Sequence, residues 1–158
     1  MRALTATGIT VGLLAGLWTW VSELTGLPTW VAVVSWAAFF AAGGKGTGLV
    51  KTAAAGLSGI AWGWLGVLGA GLLGGWAGAL PVAVAVIAFA MCVQAGWAPL
   101  SFIPAAFLGA ASLFGNGVDV LTTAVAFVIG LGLGIASEWA AAQLVRRSRP
   151  GSAVPEVV

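Results

Sequence analysis

Long hydrophobic runs, separated by short polar or glycine- and proline-containing breaks, make up almost the whole chain. A helix that crosses a bilayer needs roughly 20 mostly apolar residues. Six runs meet or approach that length, at residues 4–21, 28–42, 49–73, 79–96, 99–114 and 118–145. The second and fifth are short and start at Pro28 and Pro99, and proline is tolerated in the first turn of a helix. The pattern predicts an all-α integral membrane protein with six transmembrane helices, of which helices 2 and 5 are short.

The composition supports a chain that has lipid as its solvent. Only 6% of the residues are charged, against about 25% in soluble domains, and the mean hydropathy is +1.11. The absence of histidine and the single cysteine, Cys92, exclude a zinc site, a Ser-His-Asp triad and an intrachain disulfide. We expect no catalytic residue, no metal, no cofactor and no enzymatic activity. The formal net charge of +2 gives no reason to expect nucleic acid as a partner.

The basic residues orient the chain in the membrane. In a six-helix arrangement every lysine and arginine falls on the side of the N-terminus, whereas the opposite loops carry Glu23 and Asp119. The positive-inside rule then predicts that both termini are cytoplasmic. We expect one membrane domain over residues 1–145 and a disordered cytoplasmic tail over residues 146–158. An alternative for the first run is a signal peptide that begins with Arg2.

The sequence contains an internal repeat, in which Pro28 aligns with Pro99 and Gly44 with Gly115. Seven of the 20 positions from Gly44 to Gly63 are identical to their counterparts in this alignment. Each copy, at residues 1–73 and 74–145, would hold three helices. An odd number of spans inverts the second copy relative to the first. The sequence therefore predicts a 3+3 inverted-topology repeat, an arrangement that builds many transporters and places the solute site between the halves.

Aromatic and polar side chains on these helices are candidates for a solute pathway. Paired aromatic rings can form a hydrophobic constriction in a pore, although core packing is the alternative for any single ring. Hydroxyl and amide groups would supply hydrogen bonds along the route. The predicted pathway residues are Phe39, Phe40, Phe107, Phe114, Thr52, Thr123, Gln94 and Asn116.

Two charged residues, Lys51 and Glu138, fall inside predicted spans. Charge within a span is costly and therefore indicates a functional site. The two side chains could pair in a vestibule on the cytoplasmic side. Alternatively, Lys51 extends to the interface, and Glu138 lies at an exposed helix end with Arg146 or a neighbouring chain.

Small residues four apart recur along the chain, for example at Gly8, Gly12 and Gly16 and at Gly59 and Gly63. Such spacing allows close approach of helices in lipid. The contact can lie within one subunit or between subunits, and we expect a homo-oligomer. The glycine-rich string at residues 43–48 is interpreted as a tight turn between two helices.

The string Met91-Cys92-Val93-Gln94-Ala95 is the most specific part of a resemblance that covers residues 11–138, and the string Ser101-Phe102-Ile103-Pro104 also belongs to it. Trp30, Phe40, Ser58-Gly59, Trp62, Phe107 and Gly109-Ala110 contribute to it. In these residues the chain resembles the small bacterial inner-membrane proteins of domain-of-unknown-function family 1097. The resemblance implies a multi-pass protein of the bacterial inner (cytoplasmic) membrane, and it implies no activity or site residues.

These patterns favour a channel or facilitator for a small, mostly neutral polar solute of the size of urea or ammonia. Rings of acidic or basic residues, which ion pathways use, are not visible. One alternative is a proton-coupled small-solute transporter that uses Glu138. Another is a non-transporting membrane scaffold protein. The expected partners are the lipid bilayer, the solute and further copies of the chain.

Overall fold

Six α-helices account for most of the residues that the structure, a computed structural model, describes, namely residues 2–74 and 76–148. They are α1 (Ala3–Thr25), α2 (Thr29–Ala41), α3 (Lys45–Leu72), α4 (Ala79–Val93), α5 (Ile103–Gly115) and α6 (Val120–Arg147). Two short 3-10 turns, Gln94–Gly96 and Ala98–Leu100, connect α4 to α5. Of the predicted tail, Arg146 and Arg147 form the end of α6, and the part beyond residue 148 lies outside the described residues.

Helix length divides the six helices into two groups. Four helical segments, Ala3–Thr25, Lys45–Leu72, Ala79–Gly96 and Val120–Arg147, are long and apolar enough to cross a membrane. By contrast, α2 and α5 have 13 residues each. At 1.5 Å per residue they are about 20 Å long, shorter than a hydrocarbon core of about 30 Å. The predictions of an all-helical fold and of short second and fifth helices are therefore confirmed.

The start of α5 differs from the prediction. The sequence suggested a start at Pro99, but α5 begins at Ile103 with Pro104 in its first turn, and Pro99 lies in a separate 3-10 turn. A helix through both prolines would place Pro104 in its interior. There the ring would clash with the carbonyl group of Leu100 and one backbone hydrogen bond would be lost.

Local signals define other helix ends. Gly26 ends α1 with φ of 71° and donates its N–H to the carbonyl oxygen of Ser22. Asp119 precedes α6, and its carboxylate accepts a hydrogen bond from the backbone N–H of Thr122 at 3.1 Å. This backbone bond, together with one from the Thr122 side chain, lowers the pKa of Asp119 because both stabilise the ionised carboxylate.

The two longest helices organise the packing. Helix α3 packs mainly against α5 and α6 mainly against α2, while α4 lies on α3, α1 lies on α6, and α3 contacts α6. Since α1 and α4 are at the periphery, their outer faces expose large apolar side chains, among them Leu13, Leu17, Val86 and Phe89. This is the surface expected of helices that face lipid.

The described basic residues lie together at one end of the bundle, which we call the basic end. Ala3 of α1 lines the same groove as Arg146 of α6, and the Lys45 backbone N–H at the start of α3 binds Glu138 of α6. The starts of α1 and α3 and the end of α6 are therefore neighbours. Helices α3 and α6 consequently run antiparallel.

Candidate solute pathway between α3 and α6

Helices α3 and α6 meet where Gly56 faces the ring of Phe127, a pair that we call the central contact. The ring is fully buried, and a Cβ atom at position 56 would overlap it. Glycine is therefore required at this position for the ring to fit. The ring belongs to a core cluster formed with Val31, Phe39, Ile60, Leu113, Ala126 and Leu131.

Two buried threonines flank the central contact. Thr52 precedes Gly56 by one turn of α3, Thr123 precedes Phe127 by one turn of α6, and both side chains are fully buried. Because α3 and α6 are antiparallel, Thr52 lies toward the basic end and Thr123 toward the opposite end. Two predicted pathway residues thus have hydroxyl groups on the two sides of one aromatic ring.

Hydrogen bonds fix these threonines. The hydroxyl group of Thr52 donates to the carbonyl oxygen of Ala38 over 3.4 Å. The amide nitrogen of Asn116 donates to the hydroxyl groups of Thr122 at 2.9 Å and Thr123 at 3.0 Å. Asn116, at the end of α5, therefore joins Thr123 on the side of the central contact that faces away from the basic end.

Gln94 does not reach this region. Its Oε1 accepts a hydrogen bond from Trp62 Nε1 at 2.9 Å, and its Nε2 donates to Ser58 Oγ at 3.0 Å. These bonds join the end of α4 to the middle of α3. Both polar groups of the Gln94 amide are engaged, so its observed contacts are those of a helix-to-helix connection.

The four predicted phenylalanines are not brought together in one constriction. Phe39 is fully buried and lies against Gly134, with its ring centroid 5.4 Å from that of Phe40 in an edge-on arrangement. Phe40, Phe107 and Phe114 are 38–42% exposed. The aromatic ring between α3 and α6 is that of Phe127, which the sequence pattern did not single out.

The two charged residues within spans lie in different grooves. Glu138 accepts a hydrogen bond from the backbone N–H of Lys45 at 2.8 Å, so its carboxylate caps the start of α3. It lines a groove of about 480 Å³ with Phe40 and Arg146. Lys51 lines another groove with Thr47 and Pro99. The observed partner of Glu138 is thus a backbone group, and its proximity to Arg146 agrees with the alternative of a helix end.

Further buried hydroxyl groups could not be recognised from the sequence. Ser35 donates to the carbonyl oxygen of Phe127 at 2.7 Å, and Ser137 accepts a hydrogen bond from Trp36 Nε1 at 3.1 Å. The buried Ser112 Oγ has no hydrogen-bond partner among the described residues. A serine in a run of alanine, glycine and valine gives little signal by itself, and only its position opposite a glycine-lined helix could have drawn attention to it.

The buried polar side chains share one chemistry. Among the described residues they are all hydroxyl groups and none is charged: Thr10, Ser22, Ser35, Thr52, Ser112, Thr123 and Ser137. Hydroxyl groups can donate and accept hydrogen bonds but provide no compensating charge for an ion. The interior is therefore suited to neutral polar groups.

Comparison with known proteins identifies the family of this chain and shows that some of its relatives are inner membrane proteins. The family described as "Protein of unknown function (DUF1097)" matches residues 8–142. The chain is 36% identical to the uncharacterized protein YahC of Escherichia coli, over 91% of this chain and 94% of YahC. It is 34% identical to the inner membrane protein YcdZ of E. coli (94% and 91% covered), and 32% identical to YcdZ of Salmonella typhimurium (97% and 96%). No solved structure matches the chain.

Proposed function

The chain belongs to the DUF1097 family and is a multi-pass inner-membrane protein, and we propose that it is a facilitator for a small, mostly neutral polar solute. The route runs between two inverted halves, past the ring of Phe127. The observation that carries the proposal is the pair of fully buried threonines, Thr52 and Thr123, on the two sides of that ring.

Repeated contacts support an inverted repeat. Gly59 of α3 approaches the backbone of Ala106 in α5, and Gly130 of α6 approaches Ser35 in α2. The internal repeat aligns Gly59 with Gly130 and Ser35 with Ala106, so the second contact is the counterpart of the first. It also aligns Gly56 with Phe127, and these two positions touch one another. A position that contacts its own counterpart is expected on the pseudo-two-fold axis of such a repeat, where solute sites of inverted-repeat transporters lie.

The solute class follows from the buried groups. An ion would need charged side chains or converging backbone carbonyl groups along its route, whereas the buried polar side chains in the described part of the chain are hydroxyls. The hydroxyl groups of Thr52 and Thr123 each donate one hydrogen bond within the protein, and Thr123 also accepts one from Asn116. A hydroxyl oxygen has two lone pairs, so each keeps at least one with which to accept a hydrogen bond from urea, ammonia or a similar neutral molecule. The unpaired hydroxyl group of Ser112 adds hydrogen-bonding capacity that no described residue uses. In this account both termini are cytoplasmic and Phe127 closes the route.

Solute flux into liposomes tests this function. We expect liposomes that contain the purified chain to take up urea faster than empty liposomes and to remain impermeable to sodium chloride. Phe127→Leu should raise the urea flux severalfold, because a smaller side chain leaves a wider opening. Phe107→Leu is the matched control, since Phe107 is 42% exposed on the outer surface and its replacement should leave the flux unchanged. Stopped-flow light scattering measures these rates.

Two alternatives have distinct outcomes in the same assay. A proton-coupled transporter would need a pH gradient for uptake and would lose uptake in Glu138→Gln, whereas a passive facilitator keeps its flux. A scaffold protein would pass no solute in any variant. One observation favours the scaffold: Gly59 and Gly130 closely approach backbone atoms of the facing helices, which leaves no space for a solute between the helices at these two positions.

Absence of flux for every solute tested would reject the facilitator.

A further inference from the structure

A groove opens at the basic end between the first two turns of α3 and the connection from α4 to α5. Its volume is about 380 Å³, and it is lined by Gly46, Thr47, Val50, Lys51, Ala98 and Pro99. We call it the lysine groove. None of its lining residues belongs to the route between α3 and α6, so its role is separate from the proposed transport function.

One side of the lysine groove is polar and positively charged. Thr47 and Lys51 are four residues apart on α3 and therefore share a face of the helix. Among the described residues, its lining includes one cation and no acidic residue. Glu138 lies at the same end of the bundle, but its carboxylate is bound by the backbone N–H of Lys45 at 2.8 Å and lines a different groove. Within the part of the chain that the structure describes, no residue of the lysine groove therefore neutralises the ammonium group of Lys51.

The other side is apolar and accessible from the lipid phase. Val50 is 55% exposed, and the neighbouring Trp97 is 67% exposed. Tryptophan with such exposure is typical of the zone where lipid headgroups meet acyl chains. The lysine groove thus combines a cationic side with an apolar wall at interfacial depth. A ligand that matches both features carries an anionic group and a hydrocarbon chain.

We propose that the lysine groove binds the phosphate group of an anionic phospholipid from the leaflet at the basic end. The Lys51 ammonium group contacts the phosphate, the Thr47 hydroxyl group donates a hydrogen bond to it, and the acyl chain lies on Val50 and Pro99. Charge complementarity favours a lipid with net negative charge over a zwitterionic one, because none of the described residues that line the groove is an acid that could bind a headgroup amine. Basic pockets between membrane helices bind anionic headgroups in this manner.

Lipid titration of the purified full-length chain tests the proposal. The chain is held in a neutral detergent and titrated with phosphatidylglycerol, phosphatidylcholine or inorganic phosphate, and bound lipid is counted by native mass spectrometry. Lys51→Gln removes the charge and retains a polar side chain. Lys45→Gln is the matched control, since Lys45 is an exposed lysine at the same end that does not line the groove. Melting of each lipid-free variant confirms that the fold is retained.

We expect the chain to bind phosphatidylglycerol more tightly than phosphatidylcholine and to show no binding of inorganic phosphate alone. Lys51→Gln should weaken phosphatidylglycerol binding about fivefold, which corresponds to about 1 kcal/mol for one lysine near a membrane surface. Lys45→Gln should leave the affinity within about twofold. The proposal is wrong if Lys51→Gln binds phosphatidylglycerol as the unmodified chain does, if phosphatidylcholine binds equally well, or if phosphate alone binds.

Discussion

Gly59→Ala is expected to destabilise the protein by about 3 kcal/mol or more, a loss at the upper end of overpacking substitutions. The added methyl group would overlap the carbonyl oxygen and carbonyl carbon of Ala106. These are backbone atoms of α5, so no rotation of a side chain can relieve the overlap and the two helices must separate. Unfolding in increasing mole fractions of sodium dodecyl sulfate, followed by circular dichroism and gel filtration, measures the loss.

Gly130→Ala should have a similar effect, because its methyl group would overlap the carbonyl oxygen of Ala32 and the hydroxyl group of Ser35. Gly12→Ala is the matched control. Gly12 is also a helical glycine, but a Cβ atom there has no neighbour within 4 Å among the described residues. Alanine should be neutral or stabilise α1 by up to about 1 kcal/mol, since it is the better helix former. Equal effects at positions 12 and 59 would contradict the observed packing of α3 on α5.

Gly56→Ala and Phe127→Leu should each destabilise the protein, and the double variant should lose less stability than the two losses added together. A Cβ atom at position 56 overlaps the far end of the Phe127 ring, and leucine has no atoms that reach so far. Overpacking by Gly56→Ala is expected to cost about 1–3 kcal/mol. The interaction energy between the two sites should be about 0.5–3 kcal/mol in favour of the double variant.

The control for this cycle is Gly56→Ala combined with Phe107→Leu. Phe107 is not part of the core cluster around Phe127, so these two losses should be additive within about 0.5 kcal/mol. Additivity between Gly56→Ala and Phe127→Leu would contradict the central contact. The same result would remove the physical basis for assigning Phe127 as the closure of the route.

The helices themselves could be predicted from the sequence because lipid imposes a simple requirement on length and polarity. Hydrophobic runs separated by breaks near Glu23, at residues 43–44 and around Asp119 give the correct order of the helices and identify the two short ones. The predicted start of α5 at Pro99 was wrong. A proline is permitted in the first turn of a helix, and the sequence offers two such prolines, Pro99 and Pro104. Only the conflict of Pro104 with a longer helix decides between them.

The contacts could not be predicted because identical glycine spacing leads to different surroundings. Gly8, Gly12 and Gly16 have four-residue spacing, and a methyl group added to any of them would have no neighbour within 4 Å among the described residues. By contrast, Gly59 and Gly130 touch backbone atoms of facing helices. The spacing indicates that a helix has a face of small residues, but it does not indicate which helix, if any, packs against that face.

The candidate pathway was only partly predictable for the same reason. Thr52 and Thr123 could be selected because the internal repeat pairs them, and both are buried. Phe127 could not be selected, because its counterpart in the repeat is Gly56 and a repeat is recognised at positions where the two copies agree. Complementary positions, one large and one small, are what a contact across a pseudo-two-fold axis requires.

Inversion of the two halves is the central claim, and it can be measured by labelling cysteines placed at positions that the internal repeat aligns. In a Cys92→Ser background, which removes the exposed native thiol, single cysteines replace Arg2 or its counterpart Leu73, and Lys45 or its counterpart Asn116. A maleimide that cannot cross the inner membrane should label Leu73→Cys and Asn116→Cys in intact bacteria, and Arg2→Cys and Lys45→Cys only after the membrane is opened. Labelling of both members of either pair from the same side would contradict the account.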